Sequence, residues 1–365
     1  MAEAPPPEDQ VARLRLIRSE NIGPVTYFHL LARFGSATAA IEAIPDLAAR
    51  GGGRPPRLAS RATAEREIEA VARLGARHLF VGQGAYPSPL AEVESAPPVL
   101  TVRGHVSLLD RQLVALVGAR NASAAACRFA RMLASNLGQE GIVVVSGLAR
   151  GIDTAAHDGA LETGTIAVIA GGIDVFYPPE NQARQEAIAE RGLLIAEQPP
   201  GTEPRARHFP YRNRIIAGLS QGTVVVEAAL RSGSLITARN AADFGREVMA
   251  VPGSPLDPRA QGCNQLIRDG ATLVQNAEDV LEAINPMQIR PLRQGDSGFS
   301  AAAPPADADD AARRAIASLL NGTPVHVDEL LRQTGLPPTI VQTVLLELEL
   351  AGRLERHAGG RVSID

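Results

Sequence analysis

Leu113-Val114-Ala115-Leu116-Val117-Gly118-Ala119-Arg120-Asn121-Ala122-Ser123 is the stretch on which the fold turns. Five apolar residues of strand character run into a glycine and a short polar loop, and a serine then stands where it can cap a helix. Helical spacing continues to Leu137, with Gly138 near its end. The same alternation repeats downstream. Apolar runs of strand length lie at 142–145, 166–170, 193–196, 223–226, 248–251 and 272–274, and helical segments such as 153–162 and 181–190 separate them. Strands alternating with helices predict an α/β domain over 109–287, built on a mostly parallel sheet covered on both faces. In such sheets, ligands sit in the loops beyond the carboxyl ends of the strands.

Outward from this core the pattern changes. On the N-terminal side, apolar residues recur at helical spacing over 11–44, are broken at Asn21-Ile22-Gly23-Pro24, and resume from Tyr27 to a stop at Gly35. A further helix is expected near 64–74, giving an N-terminal helical domain over 1–75. Residues 76–108, with Pro between 86 and 99, read as an extended connector. Beyond the sheet, 288–310 has a Gly, Pro, Asp and Ala composition that cannot bury a core and reads as a flexible linker. The last segment, 311–365, offers a helix at 311–320, one capped by Asp328 and one capped by Thr339. A hairpin turning at Ala358-Gly359-Gly360 follows, which completes a winged-helix pattern. Its third helix carries Glu347 and Glu349 and no Arg, so it predicts a module that contacts protein and does not read a major groove.

Composition narrows the chemistry. All 36 basic residues are Arg, which excludes Schiff-base catalysis and the lysine-dependent phosphate loop of Walker-type ATPases. The two cysteines, Cys127 and Cys263, stand far apart, so a reducing cytoplasm fits better than a disulfide scaffold. No apolar run approaches the roughly 20 residues that cross a bilayer, and residues 1–10 do not resemble an export signal, so neither membrane nor secretion is expected. The histidines form no H-x-x-x-H pair and the two cysteines have no neighbouring ligand pattern, so no metal, cofactor or hydrolase nucleophile is expected. His157 and Cys127 read as packed helix residues.

Four loops point to anions. The first holds Gly118 and Arg120 at a helix start. The second, Ser146-Gly147-Leu148-Ala149-Arg150-Gly151-Ile152-Asp153, sets two glycines around an arginine, with Asp153 placed to cap the next helix. Between Pro199 and Arg246, seven Arg face three acids, which focuses positive charge within a chain of net charge -4. Within that segment, His208-Phe209-Pro210-Tyr211-Arg212-Asn213-Arg214 surrounds two aromatics with groups that hold phosphates, and either ring can stack a base. The last loop, Arg231-Ser232-Gly233-Ser234, leads to Thr237. Glu227 is the best acid or base candidate, but it has no partner carboxylate at a motif spacing. Asp174 and Glu180 read as loop residues or caps.

Taken together, Val117-Gly118-Ala119-Arg120, the Ser146 to Asp153 loop, Tyr177-Pro178-Pro179-Glu180-Asn181, Phe209 to Ser220 and Ser232 to Ala238 resemble the DprA (Smf, DNA-processing protein A) family. The resemblance is dense over 109–285 and extends to both flanking modules. It implies an extended Rossmann-like domain, with an N-terminal SAM or helix-hairpin-helix-like domain and a C-terminal winged helix. It further implies binding of single-stranded DNA without catalysis, a homodimer through the Rossmann-like domain, and loading of RecA recombinase onto protected incoming DNA during natural transformation. Carried over by motif, Arg120, Ser146, Gly147, Arg150, Phe209, Arg212, Asn213, Arg214 and Ser234 line the DNA groove. The residue-level reading adds Gly118, Gly151, Tyr211, Ser232, Gly233 and Thr237. The alternatives are a nucleotide sensor and a phosphoribohydrolase-like enzyme on the same sheet. The P-G-G-x-G-T-x-x-E run of such enzymes is absent, and Glu227 precedes its loop instead of following it.

Overall fold

The computed structural model describes residues 7–285, 307–357 and 359–364. These fall into two compact units, one formed by residues 67–285 and one that joins residues 7–66 to those from 307 onward.

The first unit is built on a nine-stranded sheet among the described residues. Its strands are β1 (Arg77–Phe80), β2 (Val99–Gly104), β3 (Leu113–Val117), β4 (Val143–Ser146), β5 (Thr165–Ile169), β6 (Leu193–Ala196), β7 (Gly222–Val225), β8 (Glu247–Ala250) and β9 (Thr272–Leu273). They lie in the order β1-β2-β6-β5-β4-β3-β7-β8-β9. Every pair from β6 to β9 is parallel, so the α/β expectation holds. The chain builds outward from β3 to β6, then returns to the far side of β3 with β7. That reversal leaves a crevice beyond the carboxyl ends of β3 and β7.

Residues 76–108, expected as a connector, carry β1 and β2, which continue the sheet antiparallel beyond β6. Their apolar runs are too short to stand out in sequence. β2 pairs with the β6 edge and β1 with β2, Phe80, Leu100 and Val102 are buried, and the prolines fall outside the strands, at Pro97-Pro98 and around the short α5 (Ser88–Ala91).

Of the helices, α6 (Ala124–Gln139), α7 (Ile152–Ala160) and α12 (Ala277–Ile284) close over Val114, Leu116, Val144 and Val224. A second cluster joins Ala167, Ile169, Leu194 and Ala196 to Ile188 of α8 (Gln182–Arg191). Ser123 caps α6 as expected, its hydroxyl accepting from the Ala126 amide at 3.1 Å, a contact worth about 1 kcal/mol. Asp153 differs. Gly151 is the N-cap of α7, and the Asp153 carboxylate turns back to accept the amides of Gly147 and Ala149. It therefore ties down its own loop instead of ending the helix. The remaining helices of this unit are α9 (His208–Leu219), α10 (Ser234–Asp243) and α11 (Gln261–Arg268).

The second unit packs α1 (Pro7–Ile17), α2 (Pro24–Phe34) and α3 (Ala37–Arg50) around Leu14, Leu16, Tyr27, Leu30 and Ile44, and the start of α4 (Arg61–Arg73) follows. With them stands a winged helix of α13 (Asp310–Leu319), α14 (Val327–Thr334), α15 (Pro338–Leu350) and a three-stranded sheet. That sheet has the order β10 (Val325–His326), β12 (Arg361–Ile364), β11 (Leu354–His357). Asp328 and Thr339 sit inside the first turns they were expected to cap, since the N-caps are His326 and Pro337. Of the expected linker, residues 288–306 lie outside the described residues, as does Ala358 of the hairpin turn. Among the described residues, no helix is long and apolar enough to cross a membrane.

His157 is packed, as its sequence context implied. Its Nδ1 meets the Thr165 hydroxyl at 2.7 Å, and burial lowers its pKa to about 3. A histidine whose folded value lies below its unfolded value of about 6.5 stabilises the fold above that pH and loses the contribution as pH falls. Unfolding free energy should therefore decline from about pH 6.5 towards 3. Denaturant titrations across that range should show a shallower decline for His157→Leu.

Candidate functional site

The crevice beyond β3 and β7 is lined by several elements. Gly118, Arg120 and Asn121 come from the loop after β3, Ala149 from the loop after β4 and Asp153 from the first turn of α7. Phe209, Arg212 and Asn213 come from α9, while Arg231, Ser232, Gly233, Ser234 and Thr237 come from the turn into α10. A smaller pocket adjoins it, sharing Arg120, Phe209 and Arg212 and adding Gly147, Arg150 and Tyr177.

At the centre is a buried ion pair. The Arg212 guanidinium lies 3.9 Å from the Asp153 carboxylate, and both side chains are 7% exposed. Burial pushes the Asp153 carboxyl up, opposed by Arg212 and by the amides of Ala149 and Gly147. Burial likewise pushes the Arg212 guanidinium down, against the pull of Asp153. Gly147 is glycine because Arg212 lies across it, and any Cβ there would overlap the guanidinium. Gly151, at φ +77, presses on the carbonyls of Ala119 and Arg120, where a side chain would be both strained and obstructed. These two glycines, expected in an anion cradle, lock the first two loops and α9 together.

On this base stand the exposed groups. The Arg120 guanidinium carbon lies over the Phe209 ring, 4.9 Å from its centroid, and Tyr177 approaches the same ring at 5.7 Å. Exposed Arg150 pairs with Glu180, and exposed Arg231 opens the Ser232 turn, whose hydroxyl meets that of Ser234 at 2.7 Å. Asn213 donates to the Gly233 carbonyl at 3.2 Å and so joins α9 to that turn.

Two expected contacts lie apart from the crevice. Ser146 is fully buried and donates to the Leu116 carbonyl at 2.6 Å, a bond between strands. Arg214 is buried on α9, where it binds Glu197 and the Ser95 carbonyl. Tyr211 is 57% exposed and lines neither pocket. Tyr177, Arg231 and Arg259 also line them and were not among the expected contacts. Arg231 adjoins the Ser-Gly-Ser turn and was legible there, whereas Arg259 sits in the loop after β8 with no local pattern to mark it.

Glu227 has both oxygens engaged, accepting the Ser123 amide at 2.9 Å and the Ser123 hydroxyl at 2.7 Å. It holds the start of α6. Among the described residues no cluster of His, Cys, Asp and Glu is arranged to hold a metal.

Fold and site together define a doubly wound α/β protein with an arginine and aromatic cleft at its switch point, suited to a polyanion carrying planar groups. The profile of the DNA recombination-mediator protein A family matches residues 77–285, that of the DprA-like N-terminal HHH domain residues 7–70, and that of the DprA winged helix domain residues 300–360. The chain belongs to the DNA recombination-mediator protein A (DprA/Smf) family. DNA processing protein DprA of Streptococcus pneumoniae is 48% identical over 198 residues, covering 54% of this chain and 70% of that protein. The X-ray structure of the Streptococcus pneumoniae protein superposes with a TM-score of 0.63 at 37% identity, over 77% of this chain and 98% of that one. DNA processing protein A of Helicobacter pylori, whose structure concerns its single-stranded DNA binding mode, gives 0.52 at 29% identity over 57% and 94% of the two chains.

The division between framework and exposed groups is measurable by unfolding. Arg212→Leu leaves Asp153 buried without its partner and should destabilise the protein by about 3 kcal/mol. Arg120→Ala, at an exposed position, should stay within about 0.5 kcal/mol of wild type in the same denaturation experiment.

Proposed function

We propose that this protein binds single-stranded DNA in the crevice at the switch point and acts as a non-catalytic recombination mediator. In this reading the strand's phosphates meet Arg120, Arg150 and Arg231, together with the amides and hydroxyls of the Ser232 to Ser234 turn. A base stacks on Phe209. Arg212, Asn213, Gly118, Gly147, Gly151 and Thr237 shape the floor, while Ser146 and Arg214 brace it from behind. The observation that carries the reading is Arg120 poised over Phe209 at the mouth of both pockets: a cation and a π-face presented together suit a nucleotide chain. The Helicobacter pylori relative's single-stranded DNA binding mode supports it.

The physiological part of the proposal follows the family. The protein would protect incoming single strands in the cytoplasm, dimerise through the Rossmann-like domain and load RecA recombinase during natural transformation. The DNA-binding domain would be 109–287, its sheet extended by the strands of 76–108. The helical domain 1–75, the linker 288–310 and the winged helix 311–365 would flank it.

Binding of a labelled single strand of about 40 nucleotides, and of the matching duplex, across a salt series tests the proposal. Wild type should prefer the single strand and weaken steeply with salt. Replacing Arg120 and Arg150 together by Ala should reduce the salt slope by about 1.4, at about 0.7 per phosphate contact. Phe209→Ala should weaken binding by about 1 to 3 kcal/mol with little change in slope, because stacking releases no counterions. Equal, salt-insensitive binding of both nucleic acids would overturn the reading.

A further inference from the structure

In a winged helix that reads DNA, the third helix must present a free outer face to the major groove. Here α15 has none. Its residues Val341, Val344, Leu345 and Leu348 enter the winged helix's own core with Ile316, Leu330 and Val362. A second stripe of Thr343, Leu346, Glu347 and Leu350, at spacing i, i+3, i+4, i+7, is also buried, and it lies outside that core. α3 and the turn that follows it cover this second stripe. A Cβ at Gly51 would overlap the Glu347 carbonyl, and one at Gly53 would come within 2.6 Å of the Ala351 Cβ. Gly51 has an ordinary φ of -71 and Gly53 has no positive φ, so what requires glycine there is the close approach and not the turn.

Polar contacts fasten the same seam. Arg33 donates to the Thr343 hydroxyl at 3.3 Å, and Arg353 donates to the Gly51 carbonyl at 3.1 Å. Asp307, immediately before the winged helix, receives Arg33 at 2.6 Å and Arg50 at 2.7 Å. Glu347, whose residue is fully buried, is neutralised by Arg313 through bonds of 2.8 and 3.0 Å. We infer that α15 is a docking helix whose partner is the chain's own N-terminal helical module, joined to it in cis, and that the winged helix therefore does not enter duplex DNA through this helix. The apolar stripe and the absence of any basic side chain on 338–350 agree with that role.

Hydrogen exchange on the full chain tests it. Peptides from 37–50 and 338–350 should be protected together in wild type and should stay protected through a roughly hundredfold dilution. Gly53→Leu should speed exchange in both segments together, by about tenfold or more, while peptides from 113–250 keep wild-type rates. Asp307→Asn should do the same to a smaller degree. An excess of a duplex of about 30 base pairs should leave 338–350 unchanged. Protection lost on dilution would assign the docking module to a second copy and overturn the cis arrangement. Protection of 338–350 that responds to duplex, or that survives Gly53→Leu while 37–50 opens, would overturn the docking role itself.

Discussion

The crevice depends on one buried pair of opposite charges. Asp153 and Arg212 come from α7 and α9, and each needs the other because both are largely withdrawn from water. Asp153 also gathers the amides of Gly147 and Ala149, so the loop after β4 takes its course from this carboxylate. Arg212 in turn requires the bare backbone of Gly147 beneath it. A buried ion pair gains little net stability over a well-packed apolar one, but removing one partner is costly. Its effect here is geometric: it fixes α9 against the loop after β4, and with α9 the Phe209 ring over which Arg120 lies.

The arginines consequently divide into two kinds that composition cannot separate. Arg212 and Arg214 are internal struts, one set against Asp153 and the other against Glu197 and the Ser95 carbonyl. Arg120, Arg150 and Arg231 are exposed and free to meet phosphate, Arg150 by exchanging its surface partner Glu180. An exposed ion pair of that kind is worth at most about 1 kcal/mol, so little opposes the exchange. Leu148, held at φ 54 and fully buried, shows how tightly the loop after β4 is specified. Asn181 contributes by donating to the Leu148 carbonyl at 2.9 Å.

Much of the fold was legible because the period of the apolar pattern is a local property. β3 and β6 stand where their runs predicted, and the other parallel strands are displaced by a residue or so. Ser123 caps α6 as its position implied. β1 and β2 were not legible, since runs of four to six residues become strands here only when β2 pairs with the β6 edge and β1 with β2. In the site, the motif loops come together at the crevice, but the roles within them were not legible. Ser146 shares its motif segment with Arg150, and Arg212 and Arg214 share theirs with Phe209, yet all three are buried, and sidedness on a short, largely buried helix such as α9 is set by what packs around it.

What the sequence determined by itself is the alternation of strand and helix, the chemistry of four loops, the exclusion of lysine-dependent catalysis and the family. Each of these is written in neighbouring residues. Tertiary structure alone decided which arginines face the crevice, that Glu227 holds the start of α6, and that the two ends of the chain close on each other through Gly51, Gly53 and α15. Such facts join residues tens to hundreds of positions apart. Their energies come from burial and close approach, which exist only once the chain has folded.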